Sequence, residues 1–101
     1  MKIDFFNTKY KIETTREFNK NLKKIIRQGK DLSKLYYVIN KIANGESLEL
    51  SYRNHKLIND NVYKECYECH INPDWLLIYK YEHEKLVLVL ISTGSHSDIF
   101  K

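Results

Sequence analysis

No stretch of this chain approaches the roughly 18 uncharged apolar residues of a membrane-spanning helix, so none is expected. The first residues, Met1-Lys2-Ile3-Asp4-Phe5-Phe6, form too short an apolar run for a secretion signal, which points to a cytoplasmic protein. Only two cysteines occur, which excludes a disulfide-stapled scaffold; in the cytoplasm both stay free thiols. With one proline and three glycines there is no room for a flexible linker or a low-complexity tract, and no repeat is visible. A chain of 101 residues is then expected to form one domain, 1–101, around one modest core.

What is present is ordinary in bulk and uneven in detail. Apolar residues make up 43% and charged residues 30%, as in other globular proteins. The net charge of +4 is not spread evenly: residues 1–60 hold 13 Lys or Arg against 7 Asp or Glu, and residues 61–101 hold 4 against 6. A basic surplus on the first half is either a solvated helix surface or an electrostatic footprint for a polyanion such as nucleic acid.

Residues 10–14 alternate and are rich in β-formers, which predicts a first strand. Thr14-Thr15-Arg16-Glu17 fits a capping box with Thr14 as N-cap. Phe18, Leu22, Ile25 and Ile26 follow on one helical face, with Lys20, Lys23, Lys24 and Arg27 opposite, and Gly29 stops the helix. Leu35, Val38, Ile39 and Ile42 mark a second helix that starts near Asp31 and closes at Asn44-Gly45. The short break makes the two helices antiparallel. Residues 46–61 read as a loop carrying His55. Strands are expected at about 62–70, 75–82 and 85–92, with a hairpin at 81–85 and central strands at Trp75–Tyr79 and Leu86–Ile91, where both faces are apolar. The fold class is α+β: a strand, two antiparallel helices, then a three-stranded antiparallel meander with the helices packed on one sheet face.

Two polar segments at strand ends are not explained by packing. Cys69-His70-Ile71-Asn72-Pro73-Asp74-Trp75 leads into one apolar strand, and Thr93-Gly94-Ser95-His96-Ser97-Asp98-Ile99-Phe100 leaves another. Histidine and carboxylate together at the end of a rigid element suit proton transfer. Cys66-Tyr67-Glu68-Cys69-His70 has the C-x-x-C-H spacing of a haem attachment site. In a strand, however, residues three apart face opposite ways, so this pair is expected to be structural. On a strand Lys64, Cys66, Glu68 and His70 share one face. Asp74 also suits a turn and Trp75 a core, while His83 belongs to the hairpin and solvent.

His55-Lys56-Leu57, the block Cys69 to Tyr79 (H-x-x-P-D-W-x-L-I-Y) and Thr93 to Phe100 (T-G-S-H-x-x-x-F) resemble the YafQ branch of the RelE-superfamily toxins. That resemblance covers nearly the whole chain and implies a RelE-like fold. It implies the toxin of a type II toxin–antitoxin pair, an endoribonuclease cutting messenger RNA on the ribosome without metal or other cofactor. Its partners would be the mRNA, the ribosome and a cognate antitoxin, of the ribbon–helix–helix type. By match to the motif, His55, His70, Asp74 and His96 would be the acid–base group, while Trp75 and Phe100 would position or stack on nucleotide. The basic helix face, Lys20, Lys23, Lys24 and Arg27, would meet ribosomal RNA. One position departs from the pattern: an arginine usually stands four residues before the final histidine, and here it is Ser92. Arg53, Lys56 or Lys80 would have to supply the missing charge. The departure keeps a second expectation open, a catalytically weak or inactive module that binds RNA or a partner.

Overall fold

The computed structural model describes residues 8–100; the amino-terminal segment, for which no secretion signal is expected, lies outside them. The chain runs β1 (Lys11–Thr14), α1 (Arg16–Arg27), α2 (Leu32–Ala43), β2 (His55–Lys56), β3 (Tyr67–Asn72), β4 (Trp75–Glu82), β5 (Val87–Gly94) and α3 (His96–Ile99). The sheet has five strands in the order β1-β5-β4-β3-β2. β1 pairs parallel to β5, and the other neighbours are antiparallel. The meander is as the sequence suggests, but it is flanked by β1 on one side and β2 on the other. No helix among the described residues is long and apolar enough to cross a membrane.

Local chemistry explains the helix ends. Thr15, not Thr14, is the N-cap of α1, and its hydroxyl accepts from the Phe18 amide at 3.0 Å. Thr14 is still paired with Leu90 in the sheet, so the helix cannot begin until the next residue. Gly29 follows the end of α1 with φ +72, the left-handed turn that the sequence anticipates. Asp31 caps α2 by accepting from the Ser33 amide. Phe18 and Ile25 of α1 and Leu35, Val38, Ile39 and Ile42 of α2 are buried. Ile26 is not: it is 52% exposed, one position past the stripe that meets the sheet.

One face of the sheet carries Cys69, Ile71, Trp75, Leu77, Tyr79, Leu88 and Leu90 into the core beneath the helices. Cross-strand partners share a face, so Leu76 and Ile78 point the other way, yet both are buried. That second face is closed by residues 57–66 and α3: the Tyr63 ring meets Phe100 edge-on at 5.7 Å, and its hydroxyl reaches the Ile99 carbonyl. Residues 62–66, expected as strand, are instead an irregular turn that ends in Glu65 at φ 59 before β3 begins. Likewise 81–85 is no tight hairpin turn but a 3₁₀ turn, His83–Lys85, followed by left-handed Leu86. His83 accepts or donates at Tyr10 Oη (3.2 Å) and stacks on Tyr81 rather than standing free.

One irregularity sets which side chains of β5 face outward. β5 pairs Leu90 with Tyr79 but Ser92 with Ile78, so Ile91 is an extra residue, a bulge. Simple alternation would put Ser92 beside Leu90 on the helix face; the bulge turns it to the other side. Thr93 then faces the helices, where its hydroxyl accepts from Trp75 Nε1 at 2.9 Å and donates to the Leu76 carbonyl at 2.7 Å.

Cys66 and Cys69 are free and buried on opposite faces, as expected for structural residues. Burial pushes the Cys69 thiol up to about 12 and the Tyr81 phenol likewise to about 12. Unfolded cysteine ionises near about 8.5 and tyrosine near about 10. The folded values are raised, so the stability is fully present below the unfolded ones and is lost as pH climbs toward 12. Thermal melts are therefore expected to be flat up to about pH 8 and to fall above about pH 9. A melting temperature that holds through about pH 11 would show that neither group is shielded from ionisation.

Candidate active site

The cross-strand registers line up His55, Glu68, Ile78 and Ser92 as one row across β2, β3, β4 and β5, all on the face away from the helices. His55 therefore sits on a short edge strand and not in a loop. Its Nδ1 lies 2.7 Å from the Arg53 carbonyl, which can only accept. The ring is fixed as an Nδ1–H donor, and Nε2 is left to face Glu68 Oε1 at 3.6 Å. From the next position on β3, His70 Nε2 approaches the same oxygen at 3.4 Å. Glu68 is 7% exposed, a buried carboxylate held between two imidazoles.

Glu68 is the residue that motif matching missed. It stands two positions before His70 on one strand, and that spacing alone put it on the same face. Its second partner, His55, could be found only from the β2–β3 pairing.

His70, Leu76 and Gly94 form the neighbouring row, so at a strand spacing of about 4.8 Å the backbones of His70 and Gly94 are roughly 10 Å apart. Gly94 leads into Ser95, which caps α3 in a reciprocal box with Asp98. His96 opens that turn, exposed, with its ring 4.9 Å from Phe100. Three ties hold the segment. Asn21 of α1 accepts from the Thr93 amide at 3.1 Å, Lys24 donates to Asp98 at 3.2 Å, and Tyr63 braces Phe100. Hydrogen bonds from Ser95 and from Lys24 hold the Asp98 carboxyl below the usual carboxylate range.

The other expected site residues divide. Arg53 and His70 line one cleft of about 420 Å³ with Lys34, Tyr52 and Asn72. Asp74 lines a different cleft of about 430 Å³, with Lys20, Lys24, Arg27, Ser95 and Asp98 among its walls. Asp74 makes no ion pair with a histidine among the described residues; the carboxylate in contact with the imidazoles is Glu68. Lys20, Lys24 and Arg27 of the basic face meet at the Asp74 cleft, and Lys30 joins them, while Lys23 is not in its wall. Trp75 corrects an expectation. It is 1% exposed and hydrogen-bonded in the core, so its ring has no face on which a nucleotide can stack. Its apolar neighbours in β4 draw it inward with Leu77 and Tyr79. Phe100 is half-buried beside His96 and does present an edge. Lys56 is tied up in a 3.0 Å pair with Glu65, which leaves Lys80 and Arg53 as cations near the row. Among the described residues no three His, Cys, Asp or Glu side chains form a group that could hold a metal ion.

A family model for the bacterial toxin of type II toxin–antitoxin system, YafQ, matches residues 10–101. A curated protein from Escherichia coli strain B / BL21-DE3, mRNA interferase toxin YafQ, is 32% identical over 90 residues, 88% of this chain and 94% of that protein. Among solved structures, a metal-bound toxin from Helicobacter pylori superposes with a TM-score of 0.82 at 38% identity, covering 88% of this chain and 97% of that one. The E. coli DinJ–YafQ complex gives 0.79 at 32% identity, over 91% and 99%.

Proposed function

Since the chain belongs to the YafQ family of toxins from type II toxin–antitoxin systems, we propose that it is an mRNA endonuclease that cuts by proton transfer at the His55–Glu68–His70 row and His96. The observation that carries this reading is the buried Glu68 carboxylate shared by two imidazoles at 3.4 and 3.6 Å, about two strand spacings from the start of the His96 turn.

The reaction follows from the chemistry of RNA. A base takes the proton of the ribose 2′-OH, the 2′-oxygen attacks the adjacent phosphorus, and the bond to the 5′-oxygen breaks. An acid returns a proton to that leaving oxygen. The products are a 2′,3′-cyclic phosphate and a 5′-OH, with no water consumed in this step. His70, oriented by Glu68, supplies the base, His55 holds Glu68 from the edge strand, and exposed His96 supplies the acid. Each positioned group of this kind contributes roughly 10² to 10⁴ in rate. Arg53 offsets the charge that builds on the phosphate, Lys80 holds the strand beside it, and Phe100 flanks a base. Asp74 lies in the cleft with Lys20, Lys24 and Arg27, where it orients the bound strand. The proposed chemistry routes no step through a metal.

The basic wall of α1 is the surface for ribosomal RNA, with Lys23 beside it, which makes the ribosome the platform for cutting and the cytoplasm the place of action. By kinship with the toxin of the DinJ–YafQ complex, a cognate antitoxin of the ribbon–helix–helix type restrains it. Ser92 favours a second reading, in which the protein binds RNA without cutting it. Primer extension on a reporter mRNA in a translating extract separates the two. New 5′-OH ends that require translation are expected; ribosome binding with no new ends would leave only the binding module.

A further inference from the structure

We propose that a cavity on the face away from α1 and α2, between β5 and the 62–66 turn, is a nucleotide subsite. In it Lys80 takes a backbone phosphate and the Ser92 hydroxyl takes the sugar beside it. The inference deepens the reading of this chain as a nuclease and concerns how the RNA strand is held.

The cavity has a volume of about 490 Å³, within the range of roughly 300–1,000 Å³ typical of ligand clefts. Ser92, Lys80, Lys64, Tyr63 and Ile91 are in its wall. Ser92 is 2% exposed, and its Oγ is the buried side-chain polar atom that has no hydrogen-bond partner among the described residues. A buried hydroxyl with no partner opposes folding, and Thr93 next to it shows the ordinary solution, with both bonds made. The Ile91 bulge is what turns Ser92 into this cavity instead of the core. The cavity wall also holds two lysines, Lys80 and Lys64, neither in an ion pair among the described residues, and one carboxylate, Glu17. Glu17 already accepts from Asn21 at 3.3 Å. The half-buried Tyr63 ring adds an aromatic surface for a base.

Cation, hydroxyl acceptor or donor, and aromatic ring in one apolar-walled cavity are the requirements of a single ribonucleotide. Ser92 is in the same cross-strand row as Glu68 and His55. That row is buried at Ile78, so the subsite lies at the β5 end of the face and the proposed catalytic histidines at the β2–β3 edge.

The test uses a short single-stranded RNA and the full chain carrying His96→Ala to suppress cutting, with fluorescence anisotropy at several salt concentrations. Lys80→Gln is expected to weaken binding and to reduce the slope of log K against log salt by about 0.7, one phosphate contact to a single strand. Lys80→Arg restores that slope. Ser92→Ala is expected to weaken binding roughly 3- to 10-fold with the slope unchanged. The same substitution raises the melting temperature of the free protein, because it removes an unpartnered group. A slope unchanged in Lys80→Gln, or an affinity unchanged in Ser92→Ala, overturns the subsite; the hydroxyl would then serve an ordered water only. Cleavage by the unsubstituted chain is scored separately. Loss of the slope in a protein that never cuts would refute the nuclease and keep the subsite.

Discussion

His96→Ala is expected to slow cleavage of a translated reporter mRNA by roughly 10²–10⁴ while the protein melts within a few degrees of the original. The fold should tolerate the change because His96 is exposed and, among the described residues, its ring packs against Phe100. The α3 cap is made by Ser95 and Asp98 and does not involve the imidazole. His70→Ala should cost a similar factor for a different reason. It removes a proposed base and leaves the buried Glu68 with His55 alone, so part of the loss will be structural. The pH–rate profile separates the two. Removing the acid should flatten the alkaline limb and removing the base the acidic limb. Cleavage by His96→Ala at the original rate would mean that α3 is scaffold and that the leaving oxygen is protonated by another group.

Trp75→Ala is expected to destabilise the fold by about 3–5 kcal/mol, which lowers the melting temperature by more than about 10 °C. The indole fills the core between the helices and β5, and its Nε1–H satisfies Thr93 Oγ1. Loss of the ring would leave a large cavity and an acceptor with one partner fewer. The milder Trp75→Leu keeps much of the volume and distinguishes packing from nucleotide contact. Measured below its own melting range, it should bind single-stranded RNA as well as the parent does. Stacking would cost about 1–3 kcal/mol per base. Because the chain has one tryptophan, its emission reports directly on this site. A blue-shifted maximum that resists acrylamide and does not move on adding RNA is expected. RNA-dependent quenching would return Trp75 to the binding surface.

The elements that were legible in the sequence are those whose signal is local. Leu35, Val38, Ile39 and Ile42 at helical spacing are buried as a stripe in α2, and Gly29 and Asn44-Gly45 end their helices where left-handed or terminal turns are needed. The errors fall where distant partners override local preference. Thr14 stays in the sheet because Leu90 holds it, and residues 62–66 fold over the sheet face away from α1 and α2 instead of extending β3. His55 joins an edge strand because Glu68 and Tyr67 offer a ladder to pair with.

The candidate site divides in the same way. Its motif residues and its family were readable from Cys69 to Phe100, because they are contiguous and carry their own spacing. Which of them work together was not. Asp74 and His70 are four residues apart in sequence, yet across the turn at Pro73 they line different clefts. Local pattern alone was enough for the α+β class, the buried face of α2, the structural role of Cys66 and Cys69, and the presence of histidines at strand ends. Long-range pairing was needed to bring Glu68 between His55 and His70, to draw Trp75 into the core, and to turn Ser92 toward a cavity. Each of those depends on strand register, and register is set jointly by residues far apart in the chain. One bulge, at Ile91, is enough to reverse the face of the residues after it, and no local pattern records it.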